Sequence, residues 1–353
     1  MSSPARWRGG LAYLLLGALL VAALVATRSS STRVPGGAVA HLSRDPAGVM
    51  GTECRLRIAA GRGQEAAAEQ ALDRAEAALR RVEALMSVWL EDSEISRLNR
   101  AAAGDTIRLS AETIHLLSLS RRFALETRGV FDVTCGPLIE VWRLAGRRGL
   151  RPSPGEIEAA RAASSWDGLA LVEAGAVKTG ATTRVDLGGI AKGYAIDLAV
   201  DAMRAAGLAG GLVEVGGDLR CFGRGPEAGR WRIEIRNPFA DETWGALSLS
   251  DRAVCTSGDY ARFATIEGVR YSHIVDPRTG QPAGALPSVT VAAADAATAD
   301  VWATALSVLG AEGIDLIDPG SGIEALMILG TAESFSVVMT PGFEALLGER
   351  PAE

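Results

Sequence analysis

One stretch narrows the choice of fold more than any other: TRVDLGGIAKGYAID, residues 183–197. Thr183 to Leu187 reads as a short strand. The pattern breaks at Gly188 and Gly189, then reads as a helix from Ile190 towards Met203, ended by Gly207. Paired glycines at a strand-to-helix turn let a ligand come close to the backbone. A helix N-terminus aims free N–H groups and partial positive charge at that ligand, which suits phosphate. Asp186 stands just before the glycines and Lys192 just inside the helix. Lysine is rare here: of 36 basic residues only Lys178 and Lys192 are lysines. An ordinary strand–turn–helix, with glycine serving only the turn, fits the same letters, and the stretch alone does not separate the two.

The N-terminus directs where such a fold would work. Arg6 and Arg8 precede an uncharged run from Gly9 to Thr27, 19 residues long. As a helix it would reach roughly 28 Å, close to the ~30 Å hydrocarbon core of a bilayer. Cleaved signal sequences usually carry shorter apolar runs. We therefore expect residues 1–28 to be a signal or anchor, with an uncleaved anchor slightly favoured, Arg6 and Arg8 kept inside and the body exported. The expected location is the periplasmic face of the inner membrane, or secreted into the periplasm. Ser, Gly and Pro then mark a linker over 29–44, leaving 45–348 as one domain. The net charge is −6, and the three arginines of residues 1–28 leave the rest more acidic still. That argues against nucleic acid as a partner. Cys54, Cys135, Cys221 and Cys255 form no CxxC pair and are expected as buried thiols.

Along the body, Val49 to Ala59 reads as a strand. Leu72, Ala75, Leu79, Val82 and Leu85–Met86 recur at helical spacing within 65–86. Ser93 and Ser110 read as N-caps, the second opening a helix over 111–126. Cys135, Gly136 and Pro137 punctuate a loop between 129 and 142, and 154–163 is a further helix. Residues 169–179 form a hairpin. Gly211 to Phe222 is a strand interrupted at Gly216–Gly217–Asp218, where the glycines suggest a bulge or a ligand against the backbone. Strands follow at 231–236, 245–249, 253–257, 270–276, 288–293, 323–329 and 334–339, with one helix at 298–309. Strands in antiparallel runs with helices set among them give α+β, with mixed, largely antiparallel sheets.

Several chemistries are excluded. The chain has no GxxxxGK[ST], HExxH or GxSxG motif, and its only histidines, His41, His115 and His273, are widely separated. Gly223, Gly225 and Ala228 mimic a dinucleotide fingerprint, but Pro226 and a following strand spoil it. Asp300 and Thr304 lie one helical turn apart, so both oxygens face one way. They suit Mg²⁺, which takes few protein oxygens beside phosphates and waters. Asp300 could equally offset the helix dipole while Thr304 fills space. His273 precedes an Asp-Pro turn in a polar segment, on a strand shared with Tyr271 and Val275. Asp218 and Asp259 each follow glycine, and turn chemistry accounts for them.

Nine segments in order resemble one family: MGT at 50–52, MSVWLEDSEISRLN, FDVTCGPL, VDLGGIAKGYAID, VEVGGDLR, TSGDY, RYSHIVDPRTGQP, SVTVAAA and ADVWATALSVLG. Over roughly 45–345 the chain resembles the ApbE-type FAD:protein FMN transferases. The resemblance implies a T-fold-like architecture and Mg²⁺-dependent transfer of FMN from FAD to a Thr or Ser hydroxyl of a target flavoprotein, releasing AMP. It implies metal ligation by Asp300, Thr304 and the main-chain carbonyl of Gly189. FAD contacts fall on Met50, Trp89, Val130, Phe131, Asp132, Asp186, Lys192 and Ile274, and His273 matches the proposed general base. Trp89 stands where an aromatic, commonly Tyr, lines the flavin site. Targets of the family carry DGxTSAT-like acceptors. The lipoprotein cysteine common in bacterial members is missing, which bears on anchoring and not on chemistry. The same motifs would serve an FAD pyrophosphatase giving FMN and AMP, or a periplasmic FAD-binding protein without turnover.

Overall fold

A computed structural model describes residues 28–32, 39–258, 263–284 and 286–349. Residues 1–27 of the expected anchor, and Asp259 with Tyr260, lie outside these residues. The first strands are β1 (Arg28–Thr32), β2 (Val39–Asp45), β3 (Cys54–Gly61), β4 (Thr106–Arg108), β5 (Leu169–Val172) and β6 (Gly175–Lys178). Next come β7 (Gly210–Val215), β8 (Asp218–Gly223), β9 (Trp231–Arg236), β10 (Thr243–Leu249), β11 (Arg252–Ser257) and β12 (Phe263–Ile266). The last are β13 (Val269–Ser272), β14 (Ser288–Ala293), β15 (Glu324–Thr331), β16 (Ser334–Met339) and β17 (Leu347–Glu349). The helices are α1 (Glu65–Met86), α2 (Glu94–Arg100), α3 (Ala111–Glu126), α4 (Gly136–Arg148), α5 (Pro154–Ala163), α6 (Ala191–Arg204), α7 (Ala296–Leu309) and α8 (Pro341–Leu346).

The expected α+β class holds, and every strand ladder is antiparallel. The main sheet runs β1-β2-β3-β7-β8-β11-β14-β15-β16. Helices α1, α6 and α7 cover one face; β9, β10 and α8 cover the other. Strand side chains alternate between the layers. Val213 and Val215 point into the helical core, and Leu212 into the second core with Trp231 and Leu247. Both faces being covered, β14 is buried at every position. Helix α1 buries one stripe, Ala68, Ala71, Leu72, Ala75, Leu79, Val82 and Met86. Each fully buried large aliphatic there is worth roughly 1.5–3 kcal/mol. A third cluster joins Leu138 and Trp142 of α4 to Ala160 of α5, Ile266 and Val275.

The structure departs from expectation where local letters admit two readings. Strands β1 and β2 take up part of the range expected as linker. Met50 and Gly51 are not in a strand: with φ of +51° and +68° they form a tight turn bridged by Val49 and Thr52. Gly216 and Gly217, at φ +62° and +91°, turn the β7–β8 hairpin and do not interrupt one strand. Pro137 opens α4 and does not prolong a loop, because its missing N–H costs nothing in a first turn. Residues 183–187 form no strand: Arg184 makes one isolated bridge to Cys135, while Val185 and Leu187 are buried in the helical core. Strand β13 stops at Ser272, so His273 lies in a bend, exposed, while Val275 is buried. All four cysteines are free thiols; Cys54, Cys221 and Cys255 are buried and Cys135 partly so.

Candidate active site

The glycine corner is held from outside by one asparagine. Asn99, near the end of α2, uses its amide as a strand would use a peptide. Nδ2 donates to Val185 O at 2.8 Å and Oδ1 accepts from Val185 N at 2.7 Å. Its own carbonyl accepts from Lys178 Nζ at 2.9 Å and Arg184 Nη1 at 2.5 Å. Burial lowers the Lys178 pKa, and Arg184 adds to the effect. On the other side Asp186 N donates to Val133 O at 2.8 Å. The segment is thereby delivered to Gly188, whose N–H donates to Asp186 Oδ1 at 2.9 Å. Asn99→Ala would leave the Val185 N–H and C=O unpaired. We expect it to lower unfolding free energy by about 2 kcal/mol, read by urea denaturation; an unchanged midpoint would contradict this role.

Beyond the corner, α6 and α7 cross at contact distance and exchange caps. A Cβ on Gly193 would stand 2.2 Å from Ala296 O, so only glycine permits the approach. Asp300 of α7 accepts from Gly193 N at 3.1 Å. Asp197 of α6 accepts from Ala296 N at 2.8 Å and Ala297 N at 2.9 Å, the first turn of α7. Arg220 Nη1 of β8 donates to Asp197 Oδ1 at 2.8 Å. Burial pushes the Asp197 carboxyl up to about 6, against the two amides and Arg220, which favour its charge.

Lys192 Nζ pairs with the buried Asp218 and stands 3.9 Å from Asp300 Oδ1. Asp218 Oδ1 also accepts from Thr256 N at 2.9 Å. The Asp at this glycine turn is therefore a buried ion-pair partner, more than the turn chemistry read from sequence. The proximity of Gly189 to Thr304 follows from packing: a Cβ on Gly189 would lie 3.1 Å from Thr304 Oγ1 and 3.2 Å from Phe131 Cε2. Glycine leaves that space open.

Gly189, Thr304 and Phe131 thus meet at one point, with Asp300, Lys192 and Asp218 in a connected cluster beside it. Met50 sits in its left-handed turn at the same sheet end, where Thr52 packs on Gly216 before Asp218. Val130 and Phe131 are buried. Asp132 Oδ1 accepts from the Thr134 N–H and hydroxyl, both at 2.8 Å, while burial raises its carboxyl. Trp89 is 76% exposed, and Arg143 of α4 stacks on it at 4.7 Å while standing 3.9 Å from Asp186. His273 and Ile274 lie on a separate loop. That loop leans on α4, where Trp142 Nε1 donates to Gly280 O at 2.8 Å. Helix α4 also abuts the corner, since Gly136 packs on Arg184 O.

Among the described residues no group of three or more His, Cys, Asp or Glu could hold a metal. The expected set needs only one acid, and these residues fit a hard divalent ion. Asp300 is 4% exposed, and its Oδ2 is taken by Gly193. Neither Asp300 Oδ1 nor Thr304 Oγ1 has a hydrogen-bond partner among the described residues.

Solved flavin transferases share this fold. That of Vibrio cholerae superposes with a TM-score of 0.76 at 30% identity, covering 91% of this chain and 100% of that one. The apo flavinyl transferase of Pseudomonas stutzeri gives 0.76 at 31% identity, over 88% and 97%. The fold is that of the flavin transferase class. An FAD:protein FMN transferase of Vibrio cholerae is 34% identical over 269 residues, 75% of this chain and 80% of its own length. The ApbE family model matches residues 50–327, and the chain belongs to the ApbE family.

Proposed function

We propose that this chain transfers the FMN half of FAD to a threonine or serine hydroxyl of a target flavoprotein, with Mg²⁺ held by Asp300, Thr304 and the carbonyl of Gly189. The observation that carries the reading is the meeting of Gly189 with Thr304, on the helix where Asp300 Oδ1 has no hydrogen-bond partner among the described residues and stands 3.9 Å from Lys192 Nζ. Relatives from Vibrio cholerae and Klebsiella pneumoniae, 34% and 31% identical, bear the name FAD:protein FMN transferase.

In this reading the acceptor hydroxyl oxygen bonds to the FMN phosphorus, and the bond from that phosphorus to the bridging oxygen breaks. AMP leaves with the bridging oxygen, and the hydroxyl proton passes to His273. The bound cation would offset charge on the phosphate oxygens. Positioning is the protein's main contribution to such a transfer. Trp89 offers its ring to the flavin, and Asp132, Asp186, Met50, Val130, Phe131 and Ile274 line the remainder. Lys192 shares its charge with Asp218, so it balances the acids as well as any phosphate. The target carries a DGxTSAT-like acceptor. Residues 1–28 hold the body at the periplasmic face of the membrane, or are removed to release it there, and 45–348 act as one domain.

The test is mass spectrometry of a DGxTSAT-bearing flavoprotein after incubation with the enzyme, FAD and Mg²⁺. Gain of one FMN, lost in EDTA, is expected. Free FMN and AMP without target labelling would make the chain a pyrophosphatase, and retained FAD with no AMP would make it a binding protein.

A further inference from the structure

We propose that Asp197 is a positioning residue for the divalent ion: it fixes the start of α7 and thereby sets where Asp300 and Thr304 stand. The inference rests on the metal reading of the preceding section. Both ligand side chains sit on α7, and Thr304 is the one partly open position in the otherwise buried run from Ala299 to Ser307. Something outside the helix must therefore hold its register along α6. Asp197 does this with both carboxylate oxygens, one on Ala296 N and one on Ala297 N. Arg220 braces the same carboxylate from β8. The exchange is reciprocal, since Asp300 spends one oxygen on Gly193 N of α6. Moving α7 along α6 would break both caps together, and Thr304 would leave Gly189. Asp295 caps α7 as well, through Thr298 N, but on its own helix, so it cannot fix α7 against α6.

Asparagine at 197 keeps the shape but cannot serve. In one orientation its NH₂ faces the Ala297 N–H donor; in the other it faces both Ala296 N–H and Arg220. The test uses Mn²⁺ as the probe, bound to the full-length chain and followed by electron paramagnetic resonance. Asp197→Asn is expected to weaken Mn²⁺ binding about 10- to 100-fold, the range for residues that orient metal ligands. Asp201→Asn, whose carboxylate lies 3.6 Å from the same Arg220 but is solvent-facing, is expected to bind as wild type. Leu79→Ala, a core truncation in α1, controls for lost stability and is expected to keep the affinity of the folded protein. Wild-type affinity in Asp197→Asn, or an equal loss in Leu79→Ala, overturns the proposal.

A second measurement needs no variant. Linkage requires Mn²⁺ to slow hydrogen exchange at Ala296 and Ala297 if the caps and the ion share one arrangement. Unchanged exchange there also overturns the proposal. Asp300→Ala separates the two layers of the argument. If it binds Mn²⁺ as wild type does, the metal reading itself fails; if it loses Mn²⁺ while Asp197→Asn keeps it, only the role of Asp197 fails.

Discussion

Gly193→Ala is expected to cost about 3 kcal/mol, the upper end for overpacking a tight interior, and to melt the protein roughly 6 °C or more below wild type. The added methyl would stand 2.2 Å from Ala296 O, 2.5 Å from Ala296 C and 2.7 Å from Ala297 N. All three are backbone atoms, so no side chain can swing aside and α7 must move off α6. That movement also stretches the Asp300 bond to Gly193 N and both Asp197 bonds to the start of α7. Gly155→Ala supplies the contrast. Its methyl meets nothing within 4 Å in the first turn of α5, so better helix propensity should leave stability unchanged or raise it by up to about 1 kcal/mol. Thermal melts of the two variants should move in opposite directions or differ by several degrees. If Gly193→Ala melts with wild type, the close crossing of α6 and α7 is not a feature of the folded protein.

How legible all this was depends on the range of the interaction. Caps are local, and the helices starting after Ser93 and Ser110 begin where their letters say, because the capping oxygen and the amide it takes lie three residues apart. Stripes are local too, so the buried face of α1 matches its periodicity. Turns were harder. Gly216–Gly217 serve a strand bulge or a hairpin equally well, and only the partner strand decides. Of the site residues implied by the resemblance, Phe131 and Thr304 meet at Gly189 and Asp300 stands beside Lys192, while His273 and Ile274 lie on their own loop. Those missed are the ones that hold the site together. Asp197 lies within a helix, and its partner amides are 99 and 100 positions away. Asn99 reaches across 86 residues to Val185. Arg143 gains meaning only once Trp89 lies under it. In each case the residue type carries no special chemistry, and the fold supplies the partner.

His273→Ala is the substitution expected to damage transfer most, by about 10²–10⁴-fold, the range for loss of a positioned general base. Its place in the fold argues that FAD binding survives. His273 lies exposed in the bend after β13, whereas the glycine corner is held by Asn99, Val133 and the α6–α7 crossing. The hydrogen bonds that hold the corner are made by other residues. The loop itself is secured beyond the histidine: Asp276 N donates to Gln281 O, Ala283 N donates to Ile274 O, and Asp276 pairs with Arg278. The substitution should therefore remove a proton acceptor without unfolding its support. Three readouts follow. FAD affinity, by fluorescence titration, should stay near wild type. The rate of target flavinylation should collapse. Added free imidazole should restore part of the rate, since the exposed position leaves room for a small base from solution. A variant that labels its target at the wild-type rate would remove His273 from the chemistry and leave the acceptor hydroxyl to lose its proton elsewhere.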